Sequence, residues 1–475
     1  MPDTLRRTLR QWDLIQIVIG SVIGSGIFLV PGVVLRQTGM DVGPALLVWI
    51  VAGVLSLLGA FTYGELCAMR PEAGGLYVFI REAFGPLPAF LFGWTLFLVI
   101  QTGTIAAVAV AFARFLAVLF PAISPDVFLS LGRVPMPGGE IEIGVSAQRI
   151  VAILVIAVLT AVNIRGLREA RWVQNLFTVA KTGALAALIL LGLTVGRDPA
   201  ALAESFRDPF AGAPAGGALL LAFGAAMVGS LFSADAWNNV TFAAAEVERP
   251  ERNLPRALAL GTGAVTLLYL LANVAYLAVL SWPEIQHAPQ DRVGTAAAYR
   301  MLGEPGLYLM TAAILVSTFG CINGLVLAGA RVTYAMARDG LFFAPAARIS
   351  EKRRVPVVAL AVQGVWTAFL TLTGSYSQLL DYVIFAALLF YALTVAALFA
   401  LRRRRTDLPR PYRVLGYPVL PALYLAAAVG IAAVLLVAKP VYTFSGLFLV
   451  LLGIPVYMLW GRRAAALPEP GAGRV

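Results

Sequence analysis

The sequence predicts an all-α, polytopic membrane protein with twelve transmembrane helices, and three observations carry that expectation. Of 475 residues, 60% are hydrophobic and 13% charged, too little charge to cover a soluble protein of this length. Apolar runs of about 20 residues recur along nearly the whole chain, each long enough to cross a hydrocarbon core of ~30 Å as a helix. They are continuous rather than alternating, which excludes a transmembrane barrel. Lysine and arginine gather in every second loop between the runs. That placement reads the net charge of +11 as membrane topology, so the lipid bilayer, not nucleic acid, is the expected partner.

The spans fall at roughly 12–36, 42–69, 89–120, 149–165, 171–195, 218–246, 255–281, 305–339, 356–373, 378–401, 416–437 and 442–461. The stretch 1–11 is basic and polar. The run after it lacks a small-residue cleavage site and outlasts a signal peptide, so it reads as a retained span. One set of loops holds Arg6, Arg7, Arg10, Arg70, Arg81, Arg249, Arg252, Lys352 and the run Arg402 to Arg405. The other holds scattered residues such as Arg36, Arg133, Arg207 and Lys439. The positive-inside rule then places both termini in the cytoplasm, as an even number of spans requires. The loops near 121–148 and 282–304 are too short for a soluble domain, so 1–475 reads as one transmembrane domain. The stretches 71–88 and 284–300 read as surface-lying helices, and the Pro/Gly-rich tail 464–475 as disordered.

Cys67 and Cys321 fall inside apolar runs and read as small buried hydrophobes. The single histidine, His287, stands in a polar loop, which argues against a metal cluster or a serine–histidine–acid triad. No cofactor and no metal are expected.

Two spans carry signs of a break. Span one has Gly20, Gly24 and Gly26 around Ser21 and Ser25, with Pro31–Gly32 following. Small residues at this spacing let membrane helices pack closely, and glycines this dense near mid-membrane also permit unwound backbone. Span six has Asp235 deep in an apolar run, followed by Trp237, Asn238 and Asn239. A carboxylate at that depth costs several kcal/mol without partners or water; the competing reading is a cap at a frayed helix end. The irregular spans are the first and the sixth, as in a five-plus-five inverted repeat covering 12–195 and 218–401, with 416–461 appended. Position alone supports that repeat; no identity between the halves is visible. Unwound backbone is tolerable only where it faces a cavity or ligand. Half-helix N-termini suit a carboxylate and half-helix C-termini suit an ammonium. Two broken helices running in opposite senses therefore suit a zwitterion.

Lys181 stands about ten residues into span five, ~15 Å along a helix and near the bilayer middle. Snorkelling from there is difficult, so it reads as a functional charge facing the bundle interior. Two roles stay open: a fixed cation in place of a coupling sodium ion, or a titrating group. Arg114, near the outer end of span three, reads as a snorkelling residue, and Glu65, toward the inner end of span two, as a structural contact.

Five stretches in order resemble the amino acid–polyamine–organocation superfamily, and within it bacterial members of the L-type amino acid transporter branch. They are VIGSVIGSGIFLVPG (18–32), YGELCAMRPEAGGLYVFIREAFG (63–85), LTAVNIRGLREARWVQNLFTVAK (159–181), FSADAWNNVTFAAAEVERPERNLPRAL (232–258) and NGLVLAGARVTYAMARDG (323–340). The resemblance implies the leucine-transporter fold, a five-plus-five inverted repeat with two added helices. It implies that backbone from Ile23 through Gly24, Ser25 and Gly26 to Ile27 holds a substrate α-carboxylate. Carbonyls near Phe232, Ser233 and Ala234, beside Asp235 and Trp237, would hold the α-ammonium, with Phe232 as the aromatic gate. Lys181 matches a fifth-helix lysine of sodium-independent members that occupies the sodium position between helices one and eight, with Gly20, Ser317 and Thr318 as neighbours. Two departures stand out. Ala236 replaces a glycine common before the tryptophan, which puts a large aromatic substrate in doubt. The loop 121–148 lacks the cysteine that tethers a glycoprotein in animal members, so no covalently linked heavy chain is expected.

The resulting expectation is sodium-independent exchange of L-amino acids, neutral ones foremost, across a bacterial plasma membrane. The alternatives are proton-coupled symport through Lys181 and, further off, a polyamine or cationic substrate paired with Asp235. An intramembrane enzyme would need convergent polar catalytic groups, and mid-membrane polar residues here are few.

Overall fold

The computed structural model describes residues 7–39, 41–136, 139–212, 216–353, 355–373 and 376–464. The basic residue Arg6 and the tail from 465 lie outside that set. Span one is two helices, α1 (Gln11–Val22) and α2 (Gly26–Gln37), bent by 44° at the break. Next come α3 (Val42–Met69) and the short α4 (Leu76–Phe84), the latter within the expected surface stretch. Span three is α5 (Pro86–Thr95), a π-helical turn Leu96–Ile100 and α6 (Gln101–Leu119). The Thr102 hydroxyl of α6 donates back to Phe97 O of that turn, 2.7 Å away.

An antiparallel hairpin, β1 (Leu129–Met136) with β2 (Gly139–Val145), fills the loop after α6, which the sequence did not reveal. Gly144 N and the Arg149 guanidinium tie it to Leu372 O, each at 3.0 Å. α7 (Ala147–Arg165) and α8 (Leu167–Leu193) complete the first half, and α9 (Pro199–Phe206) leads into the second. Span six is α10 (Gly217–Ser233) followed by a 3₁₀ segment, Trp237–Glu246. The remaining helices are α11 (Pro250–Val279), α12 (Trp282–Gln286), α13 (Val293–Leu302), α14 (Glu304–Arg338), α15 (Val357–Thr371), α16 (Tyr376–Arg404), α17 (Val419–Ala438) and α18 (Pro440–Ala464).

Among the described residues ten helical stretches are long and apolar enough to cross a bilayer, and the bent pair α1–α2 makes eleven. The twelfth expected span is α15, whose 15 residues rise ~22 Å, short of a straight crossing. α3 has one charged residue in 28, Glu65, and packs along α11; α14 lies against α6 and α8. α1 touches α8, α11, α14 and the 3₁₀ segment, while α2 touches α10. Both broken spans therefore sit together in the centre.

On the face where the described chain begins, Glu65 accepts from Arg402 Nε (2.8 Å) and Nη2 (2.5 Å) and from Val414 N (2.7 Å). Arg402 also lies 3.7 Å over the Tyr417 ring. Glu65 is thus a structural tie between α3, α16 and the segment after it. Glu246 and Arg331, both buried, form a bidentate pair at 2.5 and 3.1 Å joining the 3₁₀ segment to α14. Thr8 N and Leu9 N donate to Glu246 O, and Glu248 N to Leu9 O, so the chain ahead of α1 pairs with 246–248. On the opposite face Arg36 binds Asp291 at 2.5 Å, and the Arg114 guanidinium reaches Gln290 O at 3.3 Å.

Candidate functional site

α1 stops at Val22 and α2 starts at Gly26, leaving the terminal carbonyls of α1 to find donors outside the helix. They find them on three other helices. Lys181 Nζ of α8 donates to Gly20 O (2.5 Å) and Ile23 O (2.6 Å). Cys321 Sγ of α14 lies 3.0 Å from Ser21 O, and Tyr269 Oη of α11 donates to Val22 O at 3.1 Å. Ser317 Oγ of α14 bridges Ile23 O (3.2 Å) and Gly24 O (3.1 Å), and Ser317 O accepts from Lys181 at 3.3 Å. The carbonyls from residue 20 to residue 24 are all served, the arrangement that lets irregular backbone persist in a membrane interior. Lys181 is fully buried, and no carboxylate pairs with it among the described residues. Its partners are the negative end of the α1 dipole and a carbonyl of α14. Thr318 is buried nearby, with its hydroxyl donating within its own helix to Ile314 O at 2.8 Å.

The second break follows Ser233. Ala234 N donates to Ser230 O (3.0 Å) and Asp235 N to Phe232 O (3.2 Å); then Ala236 turns left-handed, φ 67° and ψ 3°. This is the position where the resemblance expects glycine, and a Cβ in this conformation costs roughly 1 kcal/mol. Asp235 Oδ1 accepts from Tyr391 Oη of α16 at 2.6 Å. The rings of Tyr63, Trp237 and Tyr391 close around it, with centroids 4.8, 6.1 and 6.3 Å apart.

The two breaks touch. A Cβ on Gly26 would stand 2.3 Å from Ser233 Oγ and 2.8 Å from Ser233 Cα, so only glycine lets them meet. Ile23, Gly24, Ser25, Gly26 and Ile27 on one side of this meeting point and Phe232, Ser233 and Ala234 on the other are all buried. Asp235 borders two small cavities of about 30 and about 10 Å³, each sized for a water molecule or so. Both of these cavities are too small to hold an amino acid.

Tyr391 and Tyr269 were not singled out by the sequence, since a tyrosine in an apolar run resembles any other, and Cys321, read as a small buried hydrophobe, is buried but also reaches Ser21 O. Gln174 and Thr178 did leave a signal. With Lys181 they stand at i, i+4 and i+7, one polar face of α8. The Thr178 hydroxyl donates to Gln16 O at 3.3 Å, and Gln174 lies where a Cβ on Gly20 would collide with it.

Two spans broken midway, with their breaks meeting at a buried central point, define a multi-pass α-helical membrane protein of discontinuous-helix type. Comparison with known proteins gives its family. A family model described as amino acid permease matches residues 9–459, and the chain belongs to that family. Large neutral amino acids transporter small subunit 2 of Homo sapiens is 34% identical over 456 residues, covering 93% of this chain and 78% of that protein. The b(0,+)-type amino acid transporter 1 of Rattus norvegicus is 32% identical, covering 94% and 86% respectively. The serine/threonine exchanger SteT of Bacillus subtilis (strain 168) is 31% identical over 454 residues, covering 95% and 96%.

Proposed function

We propose that this chain exchanges neutral L-amino acids across a bacterial plasma membrane, independently of sodium, by alternating access. The relatives support the substrate class: their names specify large neutral amino acids, amino acids, and serine with threonine, the last as an exchanger. The observation that carries the mechanism is the Lys181 ammonium on Gly20 O, Ile23 O and Ser317 O. A cation tethered there does for α1 what a bound sodium ion would do, and it cannot leave. A transport cycle with no ion to release favours return only with substrate on board.

In this reading the backbone from Ile23 to Ile27 receives the α-carboxylate and the carbonyls of Phe232, Ser233 and Ala234 the α-ammonium. Phe232 gates the substrate, while Asp235 and Trp237 line its side-chain end. Gly20, Ser317 and Thr318 surround the lysine. Residues 12–195 and 218–401 act as the two inverted repeats, with 416–461 appended. Both termini lie in the cytoplasm, as the arginines on the N-terminal face support. The chain works as a carrier and not an enzyme, and without a covalently linked heavy chain.

The test is sodium-free uptake of labelled L-amino acids into liposomes containing the purified protein. Uptake confined to vesicles preloaded with unlabelled amino acid is the expected result. Uptake into empty vesicles driven by an inward proton gradient would replace exchange with proton symport, and Lys181 would become the proton carrier.

A further inference from the structure

The face where the described chain begins, at Arg7, holds a cavity of about 440 Å³, within the ~300–1,000 Å³ usual for small-molecule sites. Its position ties it to the central site. Ala245, near the end of the 3₁₀ segment, lines it together with Val78 of α4 and Ala335 of α14. Phe242, one 3₁₀ turn earlier, lines the small cavity beside Asp235. The large cavity is thus the next space along the segment that leads away from the break.

The charges at its wall are unevenly committed. Asp339 accepts from Tyr77 Oη at 2.6 Å and from Arg81, so it is tied down. Arg338, in the last turn of α14, lies 6.0 Å over the Tyr334 ring and has no carboxylate partner among the described residues. Glu72, in the loop between α3 and α4, has a half-exposed side chain and one ion-pair contact, 3.5 Å from Arg81. Both Arg338 and Glu72 border the same cavity. A guanidinium without a carboxylate partner among the described residues and a half-exposed carboxylate held by one long ion pair, on a wall that also carries Arg7 and Arg81, are complementary to a zwitterion in a cavity of small-molecule size.

We propose that this vestibule is a second, weaker amino acid site, where Arg338 receives the α-carboxylate and Glu72 the α-ammonium of a substrate passing between the cytoplasm and the central site. The inference rests on the carrier reading above. It deepens that reading by making the two faces of the carrier unequal in how substrate is captured.

The experiment measures exchange with the full chain on each face separately, in intact cells for the outer face and in everted membrane vesicles for the cytoplasmic one. Wild type is compared with Arg338→Gln and Glu72→Gln. Solvent-screened charged contacts of this kind predict that each variant raises the cytoplasmic half-saturation concentration about 3–10-fold. The outer half-saturation concentration and the maximal rate should stay within about two-fold of wild type. Glu72 lies in a loop, so its variant keeps the test decisive should Arg338→Gln fail to insert. Equal rises on both faces would overturn the proposal by pointing to the central site, and so would no change on either. A rise with Arg338→Gln alone, together with competition by inorganic phosphate, would overturn it in favour of an anion site. Wild-type protein that exchanges no amino acid would instead remove the carrier reading itself.

Discussion

Replacing Lys181 with methionine keeps most of the side-chain volume and deletes the ammonium. Gly20 O and Ile23 O, now 2.5 and 2.6 Å from Nζ, lose their closest donor, and Ser317 O loses a longer bond of 3.3 Å. Ile23 O keeps the Ser317 hydroxyl at 3.2 Å. In the native protein the gain from charge-assisted bonds is offset by the cost of burying the ammonium, so the lysine adds little net stability. Its removal is different, because the carbonyls stay behind in a site shaped for a cation. Each buried acceptor left unmatched costs about 1–3 kcal/mol. For the two close carbonyls, with Ile23 O partly served, that comes to about 2–5 kcal/mol against the docked position of α1. At about 1.4 kcal/mol per tenfold, exchange should fall by roughly 30-fold to a few thousand-fold. The loss is confined to one half-helix, so helix content by circular dichroism should match wild type. Counterflow of a labelled neutral L-amino acid in sodium-free proteoliposomes measures the effect. A Lys181→Met protein that exchanges within two-fold of wild type would show that the lysine does not hold α1 in place.

Three other outcomes are expected. Gly26→Ala drives a methyl group to 2.3 Å from Ser233 Oγ and 2.8 Å from Ser233 Cα, so the breaks must separate at a cost of ~1–3 kcal/mol. Ser233→Gly should not rescue it, because the clash with the backbone at position 233 remains, and an unchanged half-saturation concentration in the single variant would refute the close approach. Ala236→Gly relieves the left-handed backbone and should stabilise the detergent-purified protein by about 0.5–1 kcal/mol while admitting bulkier substrates. Thermal unfolding and competition by phenylalanine or tryptophan measure it; a lower unfolding temperature would argue against the strain. Glu246→Gln strands the buried Arg331 guanidinium and should cost ~3–5 kcal/mol, seen as loss of monodisperse protein. Adding Arg331→Met should recover much of the yield, and no recovery would mean that the pair is not the cause.

The sequence was most legible where one residue has one environment. Continuous apolar runs locate α3, α14 and the other long helices to within a few residues, because a bilayer demands that length. Gly24–Gly26 and Asp235 locate the two breaks, because dense glycine and a deep carboxylate are otherwise costly in a membrane. Partners were less legible. Asp235 signals that something must satisfy it, but Tyr391 lies 156 positions away on α16 and looks like any other apolar-run aromatic. The same holds for Tyr269 and Cys321, each of which serves a carbonyl of α1 through the packing of another helix. The hairpin β1–β2 escaped for another reason: its alternation is short and interrupted by Pro135, Pro137 and glycines, which read locally as loop.

The two breaks are held in unequal ways, and that inequality bears on how the site opens. The end of α1 is bound by Lys181 of α8, Tyr269 of α11, and Ser317 and Cys321 of α14. Moving it outward breaks those bonds together or drags three helices along. The segment after α10 is tied at its break by the bond from Tyr391 to Asp235, by the close approach of Gly26 to Ser233 and by the Trp237 ring against Tyr63 and Tyr391, with a strained Ala236 between. Displacing that segment at its break relieves the left-handed turn at Ala236. Its far end is another matter, because Glu246 is anchored to Arg331 and to the chain at Thr8 and Leu9. The segment Trp237–Glu246 thus has polar anchors at Glu246 and at Phe242 O, which accepts from Gly74 N at 3.1 Å, and a strained left-handed turn at its start.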